Sequence, residues 1–404
     1  MGTSNTKVNS RQISTVGSSN SEFSLSGLIG KLSFRSFTSG NSVRTTCSVS
    51  RPWPRISRRG WRESTLNNPL ESIKTAWPVP LIEAIFLPNF KVSSDITKSY
   101  KIISPVAKGA FGNVYKVWKE DTHQYYAMKI LSKSKILNES CVAQVKDEVK
   151  IQTICGHHPF IIDSPQYWQD RGRLYIVSNF VDGGDLFNLM EKYGALPEDI
   201  VRLYVAELAS ALDFLHNAGV IYRDLKAENV LLDSNMHAVV VDFGLSKWLR
   251  YGERTSTICG TLNYMAPEVF SLQGYGHAVD WWSLGILTYF LITNKFPSAG
   301  NTNHPGQLTE ERQNLSAGAV DLITRLLQVN PTSRLRNFLT LRTLKFFHGF
   351  RIDKIKSKQR HPKELLEEHF PVDDAVEVNN SCNPEMVQSE ILFYDFDQYK
   401  PTIV

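Results

Sequence analysis

From Tyr100 the chain alternates apolar and polar residues, Y-K-I-I-S-P-V-A-K-G-A-F-G-N-V-Y-K-V-W, around a glycine-rich turn. This period of two predicts a β-hairpin. Q-Y-Y-A-M-K-I-L predicts a further strand, residues 140 to 155 carry a helical period, and R-L-Y-I-V-S-N-F reads as a buried strand. Beyond it helical spacing dominates, over Glu198 to His216, Asp280 to Thr293 and Ala317 to Val329. The pattern predicts an α+β, bilobal architecture: a small β-rich lobe (100–178), a joint N-F-V-D-G-G-D (179–185) and a larger helical lobe (186–350). No internal repeat interrupts it. Up to about residue 92 the chain is Ser/Thr-rich, basic and without apolar period, so residues 1–92 are expected to be a disordered extension. Residues 351–404 are read as a C-terminal tail.

A length of 404 residues with 42% hydrophobic content allows a substantial core. The net charge of +5 is unevenly placed: residues 1–66 carry ten Lys or Arg against two acids, Glu22 and Glu63. Two tryptophans there, Trp53 and Trp61, are too few for a stacking platform. The basic end therefore points to an anionic membrane surface, and no nucleic-acid partner is expected. A mitochondrial transit peptide shares this composition, but its arginines lie late and no amphipathic helix accompanies them. Met1-Gly2-Thr3-Ser4-Asn5-Thr6 fits the N-myristoylation pattern, with Gly2 as acceptor. One acyl chain anchors only marginally, and the basic run Arg51 to Arg62 would supply the second signal. Five cysteines, an odd count without a C-x-x-C pair, argue against a disulfide framework or a zinc site. The expected location is cytoplasmic, with membrane association. The most apolar window, Trp77 to Pro88, is too short and too rich in proline to span a bilayer.

The densest chemistry lies in V-I-Y-R-D-L-K-A-E-N-V-L-L-D, residues 220 to 233. A charged loop of this length is ordinarily a solvated one. Its company decides otherwise: A-K-G-A-F-G-N-V and Y-A-M-K lie upstream, and Asp242-Phe243-Gly244 and Ala266-Pro267-Glu268 follow, four phosphate-handling elements in one order. Glycines in a hairpin let backbone N–H groups approach phosphate oxygens, which makes Val106, Ala107, Lys108, Gly109, Ala110, Phe111, Gly112, Asn113 and Val114 the candidate nucleotide loop. Lys129, a strand lysine among apolar residues, either snorkels to solvent or meets an anion, and a partner acid on the following helix would hold it. Glu148 is the choice for its reach, and Asp147 the alternative because it puts Ile151 one helical turn on. Phosphoryl transfer needs a group that orients the attacking hydroxyl and takes its proton, and cations for the developing charge. Asp224 is the candidate base, Lys226 the phosphate-side cation, and Asn229 and Asp242 the hard oxygen ligands for Mg2+.

These motifs, with D-F-G-L-S-K, C-G-T-L-N-Y-M-A-P-E and V-D-W-W-S-L-G, resemble the eukaryotic protein kinases from about Tyr100 to Phe350. Y-R-D stands where most carry H-R-D, and the set is similar to the AGC serine/threonine group, nearest its ribosomal-protein-kinase branch. The resemblance implies the bilobal protein kinase fold, ATP and Mg2+ as cofactors and protein Ser/Thr hydroxyls as substrates. It further implies adenine contacts from the backbone of Asn179 and Val181, a ribose contact from Asp185, and Ser178 as a small gatekeeper. Thr257 would be the activating phosphoacceptor, paired with Arg223; a bare structural threonine is the alternative. Glu268 would tie to Arg334, and Asp280 would brace the catalytic loop. The chain departs from the pattern at Ala107, where the first loop glycine is expected, and at Ala227, where proline is usual. Phe290 falls where arginine-directed relatives carry an acid, although Glu228 remains, which puts a preference for basic substrates in doubt. F-Y-D-F-D-Q-Y, Phe393 to Tyr399, fits both a hydrophobic motif with Asp397 at the phosphoacceptor position and a tether over the nucleotide. An inactive scaffold with the same fold is the competing function, and the presence of Lys129, Asp224, Asn229 and Asp242 speaks against it.

Overall fold

The structure, a computed structural model, describes residues 81–371 except 94, 251, 272–273 and 298–314. In the small lobe the chain runs through α1 (Leu81–Ala84), β1 (Lys91–Val92), β2 (Tyr100–Lys108), β3 (Gly112–Lys119) and β4 (Gln124–Ser132). It continues through α2 (Lys133–Asn138), α3 (Val142–Cys155), β5 (Gln166–Gln169) and β6 (Arg173–Asn179). Among the described residues these strands make a six-stranded sheet, β1-β5-β6-β4-β3-β2, antiparallel except where β1 joins β5. The predicted hairpin is β2–β3. Its first strand contains Pro105, which cannot donate to a ladder; β2 is accordingly an edge strand, with register shifts on both sides of the Ser104–Pro105 pair. A side chain at Gly112 would collide with the carbonyl of Ile130, so glycine is required there by the approach of the hairpin to β4.

The expectation that the chain is disordered to residue 92 is corrected at its C-terminal end. Residues 81–92 fold onto the small lobe, because Phe86 and Phe90, each 0% exposed, complete an apolar cluster with residues of α2, α3, β4 and β6. Burial of the two aromatic rings, together with hydrogen bonds from Gln169 to Glu83 O and Phe90 O and from Lys146 to Leu87 O, works against the entropy of ordering the segment.

The large lobe contains α4 (Leu186–Tyr193), α5 (Glu198–Asn217), β7 (Val220–Ile221), β8 (Val230–Leu232), β9 (Ala238–Val240) and β10 (Lys247–Trp248). After these come α6 (Pro267–Phe270), α7 (Ala278–Thr293), α8 (Ala317–Leu326), α9 (Phe338–Leu341) and α10 (Pro362–His369). Helix α7 is buried continuously from Val279 to Leu291, as its all-round apolar sequence demands, and packs on α5 and α8. Helix α8 stops at Leu326, short of the predicted Val329, because the carbonyls of Gln328 and Val329 turn to accept hydrogen bonds from Arg334. The lobe also extends beyond the expected boundary at residue 350. Ile352, Ile355, Leu365 and Leu366 are buried, α10 packs on α5, and the Phe370 ring lies 4.6 Å from that of Tyr193. Among the described residues no helix is long and apolar enough to cross a membrane. Gly2 and Phe393 to Tyr399 lie outside the described residues.

Candidate active site

Strand β4 carries Lys129 toward α3, where its Nζ donates to Glu148 Oε1 at 2.7 Å, and also to Asp242 Oδ1 at 3.2 Å. The acid that reaches Lys129 is therefore Glu148 and not Asp147, since α3 turns Val145 and Val149 into the apolar cluster and places Glu148 on the cleft side. Burial works against the Lys129 ammonium, yet the Asp242 and Glu148 carboxylates outweigh it and hold the amine above the ordinary lysine value. Lys129 in turn holds Asp242 below the usual carboxylate range, against its burial. The first turn of α3 is tied to the same loop, where Gln144 Nε2 donates to the Gly244 carbonyl at 2.5 Å.

Asn229 and Asp242 flank a two-stranded hairpin. Val230 of β8 pairs with Val240 of β9, so Asn229 immediately precedes one strand, Asp242 follows the other, and Val241 N donates to Asn229 O at 3.0 Å. The loop between β7 and β8 is braced from α7. The fully buried Asp280 accepts from Tyr222 N at 2.9 Å, Arg223 N at 2.8 Å and His216 Nε2 at 2.7 Å. Tyr222, at the position where the resemblance expects histidine, is buried and donates from its hydroxyl to Val241 O at 2.5 Å. It thereby joins the Asp224 loop to the Asp242 loop. Arg223 (φ 73°) and Asp242 (φ 51°) adopt the left-handed region, which side chains of L residues disfavour and which the surrounding hydrogen bonds hold.

Asp224 Oδ1 accepts from Thr261 Oγ1 at 3.0 Å, and Oδ2 accepts from Asn229 Nδ2 at 2.8 Å, with Lys226 Nζ 3.5 Å away. Lys226 also donates to Thr261 Oγ1 at 3.0 Å. Burial pushes the Asp224 carboxyl above its ordinary value, while Lys226, Thr261 and Asn229 pull it down. A base must be ionised to accept a proton. Activity should therefore fall on acidification, with a midpoint above that of a solvent-exposed aspartate; a pH–rate profile that stays flat through that range contradicts the assignment.

The donor set suits a hard cation. Asn229 spends its amide nitrogen on the backbone and side chain of Asp224, at 2.9 and 2.8 Å, which leaves its carbonyl oxygen to face a ligand, and Asp242 adds a carboxylate. Among the described residues no cluster of three or more His, Cys, Asp or Glu could hold a metal. Two oxygen side chains suit an ion that keeps water and phosphate as its remaining ligands, as Mg2+ does.

Above this centre lies the β2–β3 turn, closed by Gly109 N to Gly112 O at 2.7 Å. Val106, Ala107, Lys108, Gly109, Ala110, Asn113 and Val114 line it, with Val114 paired to Lys129 across the sheet. The Phe111 side chain, by contrast, turns against the small-lobe cluster, leaving only its backbone to the loop. Strand β6 ends at Asn179 and α4 begins at Leu186, so residues 180–185 cross between the lobes. Ser178 is half-buried beside Ala127. Asn179 donates its N–H to Asp163 O at 3.1 Å, and Val181 packs on the large core. Asp185 is the N-cap of α4, with Oδ1 accepting from Asn188 N at 2.7 Å and Oδ2 from Asn188 Nδ2 at 2.9 Å. Any ribose contact there shares a carboxylate that already caps a helix.

Thr257 is exposed, and its carbonyl accepts from Tyr275 Oη at 2.5 Å. Arg223 donates from Nε to Leu245 O at 2.6 Å, and its Nη1 is buried with no hydrogen-bond partner. Phe290 is 6% exposed and stacks between Phe187 and Phe296, at 6.4 and 4.9 Å. The motif reading passed over Thr261 and Gln144. Thr261 stood within the quoted C-G-T-L-N-Y run, but only the fold brings it to Asp224.

The family described as "Protein kinase domain" matches residues 100–346 of the chain. A human ribosomal protein S6 kinase-related protein is 39% identical over 300 residues, covering 72% of this chain and 72% of its own length. A Caenorhabditis elegans relative is 40% identical over 301 residues, covering 72% of this chain and 68% of its own. The Arabidopsis thaliana serine/threonine-protein kinase AtPK1/AtPK6 is 37% identical over 272 residues, covering 65% and 58%.

Proposed function

Because the chain belongs to the protein kinase family, we propose that it is an active serine/threonine kinase, moving the γ-phosphoryl group of ATP to protein hydroxyls with Mg2+. The observation that carries the reading is the double engagement of Lys129. It meets Glu148 of the small lobe and Asp242 of the large one, while Asp224 and Asn229 bond each other beside it.

Asp224 orients the attacking hydroxyl and accepts its proton as the oxygen bonds to the γ-phosphorus. The bond from that phosphorus to the bridging oxygen breaks, and the electron pair leaves with ADP. Lys129 presents its charge to the nucleotide phosphates and Lys226 presents its own on the acceptor side, where Thr261 holds it. Asn229 and Asp242 are the residues that would hold Mg2+, which when bound neutralises charge on the phosphates. Thr257 is the proposed activating phosphoacceptor, because the buried, unpartnered Nη1 of Arg223 is a donor that a phosphate would satisfy.

The test is direct. Purified chain with magnesium-ATP on an arrayed library of Ser- and Thr-containing peptides is expected to transfer phosphate. Nucleotide binding with no transfer to any peptide would make the chain a scaffold and overturn the reading.

A further inference from the structure

Helix α3 presents two faces to two different partners. Glu148 meets Lys129 on the cleft side, whereas its helix neighbours Val145 and Val149, i and i+4 to each other, turn into an adjoining apolar groove. That groove is filled by the chain's own residues 85–90. Phe86 and Phe90, both 0% exposed, pack on Leu131, Ile136, Val145, Val149, Leu174 and Ile176. Their rings meet edge to face at 6.4 Å.

The segment's backbone is gripped as firmly as its rings. Gln169, itself 0% exposed, donates from Nε2 to Glu83 O at 3.0 Å and to Phe90 O at 2.6 Å. Lys146 of α3 donates to Leu87 O at 3.2 Å, and the buried Lys133 to Ile82 O at 3.4 Å. Strand β1 then adds Lys91 and Val92 to the outer edge of the sheet, beside β5. Because β1 is at an edge, lifting the segment away leaves the other five strands paired as they are. It would expose Val145 and Val149 to water and remove what presses α3 toward Lys129.

We propose that Ile85–Phe90 is a strap that sets the position of α3, with Phe86 and Phe90 as positioning residues that act on phosphoryl transfer through Glu148. The inference rests on the kinase reading and adds to it a dependence on a segment far from the reacting atoms.

The experiment uses the full chain carrying Phe86→Ala and Phe90→Ala, with and without a synthetic peptide of residues 80–93. Amide-hydrogen exchange over 142–155 is measured alongside steady-state kinetics. The expected result is faster exchange in α3, a higher KM for ATP and a fall of about 10-fold or more in kcat/KM. The added peptide should reverse all three saturably, which a merely structural loss would not allow. Unchanged exchange in α3, or a loss that the peptide does not restore, overturns the proposal. If the double variant does not fold, a chain with a protease site at 93–95, cut after folding and dialysed free of its fragment, is read in the same way. Should the unaltered chain transfer no phosphate while α3 still loosens and tightens with the strap, the kinase reading fails and the strap stands.

Discussion

Asp224→Asn is expected to lower kcat by about 100- to 10,000-fold, the contribution of a positioned general base, while leaving nucleotide affinity close to that of the unaltered chain. The split follows from the hydrogen bonds. Asparagine keeps an oxygen and the approximate shape, so one of the two acceptor contacts, to Thr261 Oγ1 or Asn229 Nδ2, survives. Lys129, which faces the nucleotide phosphates in the proposed reaction, and the Glu148 and Asp242 carboxylates that hold it are not altered. What is lost is the carboxylate that takes the proton. Initial rates at saturating ATP, together with nucleotide titration, separate the two quantities, and a variant as fast as the parent contradicts the role assigned to Asp224.

The largest effect on stability is expected at the base of the large lobe. Arg334, whose side chain is fully buried, forks onto Glu268 at 2.6 and 2.9 Å, and donates further to the carbonyls of Gln328, Val329 and Ala278. Its guanidinium also stacks 5.0 Å from the Trp282 ring. Removing the carboxylate strands a buried charge, and Glu268→Ala should cost about 3–5 kcal/mol. Glu268→Gln should cost less, because an amide oxygen can still accept one of the two bonds. Denaturant unfolding measures both. A loss of under about 1 kcal/mol for the alanine variant, the worth of an exposed ion pair, would show that the pair does not hold the lobe together.

Much of the architecture was legible because it is local. The β2–β3 hairpin follows from a period of two around glycines, and α7 from a long all-apolar run, and neither needs a distant partner to be recognised. The boundaries were less legible. The end of α8 depends on Arg334 drawing two carbonyls out of the helix, an interaction invisible in the helical period itself. The choice between Glu148 and Asp147 turns on the rotation of α3. That rotation is set by what packs behind it, the rings of Phe86 and Phe90, and these come from a segment expected to belong to the disordered extension. Thr261 was named only as part of a motif, and its place on Asp224 requires the chain around Thr261 to fold back onto the loop that carries Asp224.

The order and chemical types of the phosphate-handling residues, the strand and helix that carry Lys129 and its acid, and the two-lobe division were determined by sequence alone. Each is written in the chain as neighbouring residues, so backbone geometry suffices to read it. Tertiary structure alone decided between the two acids offered to Lys129, that residues 81–92 belong to the small lobe, and that Tyr222 joins the Asp224 loop to the Asp242 loop. Those outcomes depend on close packing and hydrogen bonds between segments far apart in the chain, which local periodicity does not encode.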